Sequence, residues 1–237
     1  IYTIKNYHHL RFRFDRHVLD KNVLMKGFEF GLPPSAQSGA SSVGNLILQR
    51  FMNGFGEQTV AAITTAYRVD TMILLPIINF GSGVATVVAQ NIGAQNYERA
   101  NETLKIGVTI MAAISICLTV LVLFTGEYLL TMFGLTRESV QIGNSFFRAI
   151  ASCYIIYGLS MTLRGYLEGT GDMIFSGIAG FVSLIVRIVA SYMFAGRFGN
   201  MVVAYAEAFS WVVLLSLYII RFLKIRRITA TNERNCA

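Results

Sequence analysis

The sequence is poor in charge. Only 14% of its 237 residues are Asp, Glu, Lys or Arg, whereas soluble domains average about 25%, and that deficit excludes an ordinary water-solvated surface. Cysteine is scarce: Cys117 and Cys153 fall inside apolar runs and Cys236 near the end, an odd set that supports no disulfide framework and reads as small apolar filler. His8, His9 and His17 all lie near the start, at a spacing that matches no standard ligand set and with no cysteine or clustered carboxylate beside them, so no metal site is expected. H-E-x-x-H, G-x-S-x-G and the P-loop lysine motif are missing, which leaves a membrane metalloprotease or an ATP-driven pump without support. No enzyme and no cofactor are expected. The chain starts at Ile1, without an initiator Met or a signal-peptide pattern, and reads as a fragment whose N-terminal part is missing.

What the sequence has is apolar length. Hydrophobic residues make up 54% and the mean hydropathy is +0.54, a membrane composition. At about 20 residues per spanning helix, the chain holds six spans and no soluble domain, so the expected fold is all-α: a polytopic membrane protein, one six-transmembrane-helix bundle. Residues 1–27 form a basic, aromatic-rich cytoplasmic or interfacial linker, 28–223 the bundle, and 224–237 a cytoplasmic tail. Punctuation by Gly, Pro, Asn and charge places the spans near 31–53, 60–90, 102–125, 139–167, 172–195 and 201–223. The first is opened by Gly31-Leu32-Pro33-Pro34, the second is interrupted at Pro76, and the fifth has Asp172 at its N-cap.

The net charge of +7 does not point to nucleic acid, because Lys and Arg gather at the ends of apolar runs rather than on one basic surface. Lipid headgroups are the expected partner. With both termini inside, the inner segments hold 14 of the 20 Lys and Arg and the outer segments two. Basic loops stay in the cytoplasm, so the termini are assigned there.

Polar residues inside the spans are the candidate functional groups. Gln37, Ser41, Asn45 and Gln49 recur every four residues along the first span, on one slowly rotating face. They either line a cavity or bond across a helix interface. Arg68, Asp70, Arg148, Arg187 and Glu207 fall near one depth, roughly 10 to 15 Å below the outer surface at 1.5 Å per residue. The expectation is a charge network, with Arg187 paired to Glu207 and Arg68 to Asp70 or a neighbour. Structural ion pairing and an ion pathway both remain open. Tyr154, Tyr157 and Met161 share a face of the fourth span, and such aromatic and Met surfaces suit varied ligands. Gly165, Gly169 and Gly171 lack a following Lys-Ser/Thr and read as a tight turn between helices, not a phosphate loop.

Three segments, in this order and spacing, resemble the C-terminal half of the multidrug and toxic compound extrusion (MATE) family. Ala66-Tyr67-Arg68-Val69-Asp70 precedes a Pro76-centred span and then Val88-Ala89-Gln90-Asn91-Ile92-Gly93-Ala94-Gln95. Leu163-Arg164-Gly165-Tyr166-Leu167-Glu168-Gly169-Thr170-Gly171-Asp172 is similar to the family's turn between its tenth and eleventh helices, and Gly31-Leu32-Pro33 to the start of its seventh. The resemblance implies a twelve-helix antiporter of two lobes that exports organic, often cationic compounds across the plasma membrane in exchange for H+ or Na+. This chain would be the second lobe, with the other lobe as its partner and residues 1–27 as the linker. Carboxylates that bind the coupling cation in one branch correspond here to Ser41 and Cys153, and a further family Glu to Ser183. The resemblance therefore leaves Asp70, Glu207 or the other lobe to carry coupling. A flippase for lipid-linked sugars, of the same broad superfamily, is the alternative, ahead of a membrane-embedded enzyme.

Overall fold

The structure, a computed structural model, describes residues 20–236, with side chains defined except for Phe30 and 227–236. The three histidines and most of the basic linker lie outside the described residues. Those described form helices α1 (Lys21–Met52), α2 (Glu57–Gly93), α3 (Tyr97–Met132), α4 (Arg137–Ala151), α5 (Tyr154–Gly169), α6 (Met173–Phe198) and α7 (Val202–Cys236), with single 3-10 turns at Asn53–Phe55 and Gly199–Met201.

Local chemistry sets the ends. The Asp20 carboxylate accepts from the Asn22 amide at 2.8 Å, Asn96 from Arg99 at 3.1 Å and Thr136 from Ser139 at 3.3 Å, each capping a helix start. Within the apolar helices, hydroxyls bond one turn back, as Thr125 does to the Leu121 carbonyl at 2.7 Å, so their donors are met without water. Glu57–Gly93, Tyr97–Met132 and Met173–Arg226 are long and apolar enough to cross a membrane, and the α4 and α5 pair makes a fourth such unit. The stretch Met173–Arg226 comprises α6 and α7 as far as Arg226, and these two fold back on each other, with Ser183 Oγ donating to the Ser210 carbonyl at 3.0 Å. Large apolar side chains point outward, Phe124 at 85% exposure among them, as lipid-facing helices require.

The bundle divides into two leaves. In one, α2, α3, α4 and α5 pack together; in the other, α6 packs against both α1 and α7, while α1 barely touches α2; α7 joins the two by packing along α5 as closely as α4 packs on α2. Small residues explain the closeness. Ser176, Ala179, Ser183 and Ala190 give α6 a flat buried face, and Gly165 of α5 lies so near α2 that a methyl there would sit 2.2 Å from the Gly81 carbonyl oxygen. Across the seam, Trp211 of α7 meets Tyr157 and Tyr154 of α5, at ring separations of 4.7 and 6.3 Å.

Four expectations change. The first helix begins at Lys21, so Pro33 and Pro34 lie inside it rather than at its opening; Asp20 supplies the cap that starts it earlier. The expected fourth span breaks at residues 152–153, and its halves bend by 52°. The break frees the Ala151 carbonyl, which Thr119 of α3 satisfies at 2.7 Å. Gly165 and Gly169 are helix-packing positions inside α5, and the turn itself is at Gly171, whose φ of +94° suits glycine. Asp172 occupies the N-cap of α6 without capping it, because its carboxylate instead accepts from Arg221 Nε at 2.6 Å.

Candidate functional site

A cavity of about 460 Å³ opens where the leaves meet and five helices contribute to it. From α1 come Asn45 and Gln49, and from α2 Thr64, Tyr67, Arg68, Asp70 and Thr71; Tyr157, Arg187, Glu207 and Trp211 come from α5, α6 and α7. Among the described residues, a furrow of about 650 Å³ is lined only by Asp20 and by residues of α1 up to Ser35, whereas the cavity joins five helices and is the candidate site.

The flat face of α6 seats it against α7 and thereby sets Arg187 opposite Glu207. Arg187 Nη2 donates to Glu207 Oε2 at 3.2 Å, with side-chain exposures of 16% and 9%. Burying this pair satisfies each charge with the other, which a low-dielectric interior demands. The Arg187 guanidinium also lies 5.1 Å from the Tyr67 ring centre, in cation-π contact. Its Nε and the Tyr67 hydroxyl are enclosed yet have no hydrogen-bond partner among the described residues. In the other leaf, the Tyr154 hydroxyl donates to Asp70 Oδ1, and both side chains are buried. The break before Tyr154 is what turns α5 so that this hydroxyl reaches α2.

Arg68 does not pair with Asp70. Residues two apart on a helix point to nearly opposite sides, so Asp70 faces inward to Tyr154 while Arg68 is exposed at the cavity rim. Arg148 is not brought to the cavity either: it is exposed on α4, turned away from the buried Phe146 and Phe147. Four of the five expected intramembrane charges therefore converge.

The polar stripe of α1 is divided. Asn45 and Gln49 line the cavity, whereas Gln37, three steps of four residues earlier, accepts from Arg164 Nη2 at 3.2 Å at the far end of the bundle. Each step of four drifts by about 40°, so the stripe turns through roughly 120° over that length. Ser41 is half-buried between them, outside the cavity lining. Tyr157 lines the cavity, Tyr154 stands behind its wall, and Met161 is buried where α5 crosses Gly81 of α2. Tyr67, Thr64 and Trp211 were not singled out from the sequence. Tyr67 lies one residue before the charged Arg68-Val69-Asp70 segment, and Trp211 is the chain's one tryptophan, four residues after Glu207; an aromatic one helical turn from a buried charge is the signal that was available.

Comparison with known proteins agrees with this architecture. The chain is 23% identical over 228 residues to "Probable multidrug resistance protein YoeA" of Bacillus subtilis, covering 92% of this chain and 49% of that protein. It is 24% identical to "Multidrug export protein MepA" of Staphylococcus saprophyticus, covering 76% and 40%. Among solved structures, a MATE crystal structure in complex with MaL6 superposes with a TM-score of 0.82 at 18% identity, over 97% of this chain and 52% of that one. An outward-facing multidrug resistance MATE transporter of the MOP superfamily gives 0.76 at 23%, over 84% and 44%. The chain thus spans about half the length of the relatives it matches. The family model MatE matches residues 34–193, more than half of the chain and all of the helices from α2 to α5, and this multi-pass helical membrane protein belongs to that family, whose members are transporters and not enzymes.

Proposed function

We propose that this chain is one lobe of a secondary active transporter, an antiporter that moves organic compounds out across the plasma membrane in exchange for H+ or Na+. The observation that carries this reading is the five-helix cavity, whose wall brings together two carboxylates and two guanidiniums inside a bundle of mostly apolar helices. Its volume of about 460 Å³ falls within the 300 to 1,000 Å³ typical of small-molecule sites, which favours a drug-sized cargo over a lipid-linked oligosaccharide. The names of the multidrug relatives support the same class. In this reading α1 crosses the membrane beside the apolar spans, giving six crossings with both ends of the lobe cytoplasmic, and a second lobe faces the open side of α1 and α2.

Asp70 and Glu207 are the carboxylates we assign to coupling. A cation arriving at Asp70 competes with the Tyr154 hydroxyl, and a proton arriving at Glu207 removes the charge that holds Arg187, so each gives the cavity two electrostatic states. Dye efflux from a host stripped of its own exporters tests the proposal. The intact protein should lower dye accumulation only while an ion gradient is maintained, and Asp70→Asn should uncouple efflux from that gradient. A host that gains no efflux but translocates a lipid-linked sugar would establish the flippase instead. Reading the coding sequence upstream of Ile1 tests the two-lobe architecture, which requires six further apolar spans there.

A further inference from the structure

The sign of the charge that the cavity presents can be read from which groups are already engaged. Both carboxylates are taken: Glu207 is 7% exposed and accepts from Arg187, and Asp70 is 2% exposed and accepts from Tyr154. Arg187 is held by Glu207 and Tyr67. Arg68 differs. It is exposed, lines this cavity and the adjoining one toward Glu57, and forms no ion pair among the described residues. Around it are groups that can donate. The Asn45 amide is exposed and has no side-chain hydrogen bond among the described residues, and Gln49 is held only by contacts of 3.5 Å to Thr64 and Asn53.

We infer that the cavity binds an anionic group of its cargo, a carboxylate or phosphate, with Arg68 as the charge partner and the Asn45 and Gln49 amides as flanking donors. An arginine fork suits two-oxygen groups better than a point charge does. A guanidinium at membrane depth is also costly without a counter-ion or water, so an arriving anion relieves a charge that this lobe leaves open. A purely cationic cargo in this cavity meets the opposite: an exposed positive charge at the rim and two carboxylates already engaged, the exposed Glu57 lying about three turns of α2 away in the adjoining cavity. The cationic cargo that the family resemblance suggests is therefore disfavoured for this lobe's wall, and zwitterions or acids are favoured. This inference rests on the transporter reading above.

Rhodamine B, a zwitterion with a free carboxylate, and its ethyl ester, a monocation on the same ring system, separate the two questions. Efflux of each is measured from an exporter-free host with and without the intact protein. Wild type should favour rhodamine B, and Arg68→Gln should raise its KM relative to that of the ester by roughly tenfold to a hundredfold, the range for loss of a hydrogen bond to a charged group. Arg148→Gln, a matched neutralisation away from the cavity, should leave the ratio as in wild type. If Arg68→Gln does not reach the membrane, Arg68→Lys makes the same comparison, with a reduced preference of the same sign. Equal losses for both dyes in Arg68→Gln, or wild type exporting only the ester, overturn the anion site while transport stands. Export of neither dye overturns the transport reading and this one with it.

Discussion

Removing Glu207 isolates the buried pair at the centre of the second leaf. At 3.2 Å and an effective dielectric near 20, opposite charges attract by about 5 kcal/mol. Desolvation of both groups offsets much of that, but truncating one partner leaves the other charge enclosed, at a cost of about 3 to 5 kcal/mol. Glu207→Ala should therefore destabilise the protein by that amount, less the cation-π contact that Tyr67 keeps with Arg187, about 0.5 to 2 kcal/mol. Arg187→Leu should cost a comparable amount, since it leaves the Glu207 carboxylate enclosed without its counter-charge. The double variant Arg187→Leu with Glu207→Leu should recover most of the loss, because replacing both members of a buried pair by apolar groups is often near neutral. Unfolding of the purified protein in detergent, read for wild type, both singles and the double, gives the coupling energy. A value of about 2 kcal/mol or more is expected. Coupling below about 0.5 kcal/mol, with additive singles, would falsify the pairing as a source of stability.

Tyr154→Phe removes the donor to Asp70 and should cost about 1.5 to 3 kcal/mol, the range for a hydrogen bond to a charged group, measurable by the same unfolding assay. Thr119→Val keeps the shape of α3 but orphans the Ala151 carbonyl at the bend. A loss of about 1 to 3 kcal/mol is expected, and a variant as stable as wild type would mean that the bend needs no support from α3. Gly165→Ala places a methyl 2.2 Å from a backbone oxygen and should lower membrane yield or thermal stability sharply, since neither helix backbone can yield without parting α2 from α5. Gly171→Ala meets no neighbour and only the cost of its positive φ, about 1 to 2 kcal/mol, so it should be the milder of the two in a thermal melt.

Much of this arrangement was legible in the sequence, and the reasons for the rest are local. Arg187 and Glu207 could be paired from depth alone, because an antiparallel hairpin with its turn near Gly199 brings equal depths together. Arg68 and Asp70 are also at equal depth, but depth says nothing about azimuth, and a separation of two residues sends them to opposite sides. The bend before Tyr154 left no mark: Ala151-Ser152-Cys153 contains neither proline nor glycine, and the hydroxyl that stabilises the freed carbonyl comes from another helix. Pro33 and Pro34 misled in the opposite way. Proline suits a helix opening, yet in α1 the cap at Asp20 lies farther back and the helix runs through both. In the sequence the glycines near 165–171 look like one turn, because spacing alone does not separate a packing glycine from a turning one; close approach to Gly81 marks the former and a positive φ the latter.

The division of the bundle carries a mechanical implication. Each half holds its own carboxylate, Asp70 through the hydroxyl of Tyr154 on one side and Glu207 through the guanidinium of Arg187 on the other, and no ion pair among the described residues crosses between the halves. At one end they are stitched by Gln37 to Arg164 and by Ser176 to Glu168, while at the end holding the chamber the ties are Trp211 lying on two phenolic rings, the Arg187 guanidinium over the Tyr67 ring and a 3.5 Å hydrogen bond from Thr64 to Gln49. Aromatic plates slide at little electrostatic expense. Like pages bound along a single edge, the two groups of helices meet at the chamber without an ion pair between them, so a change in the room there would cost aromatic, cation-π and packing contacts but would separate no pair of opposite charges.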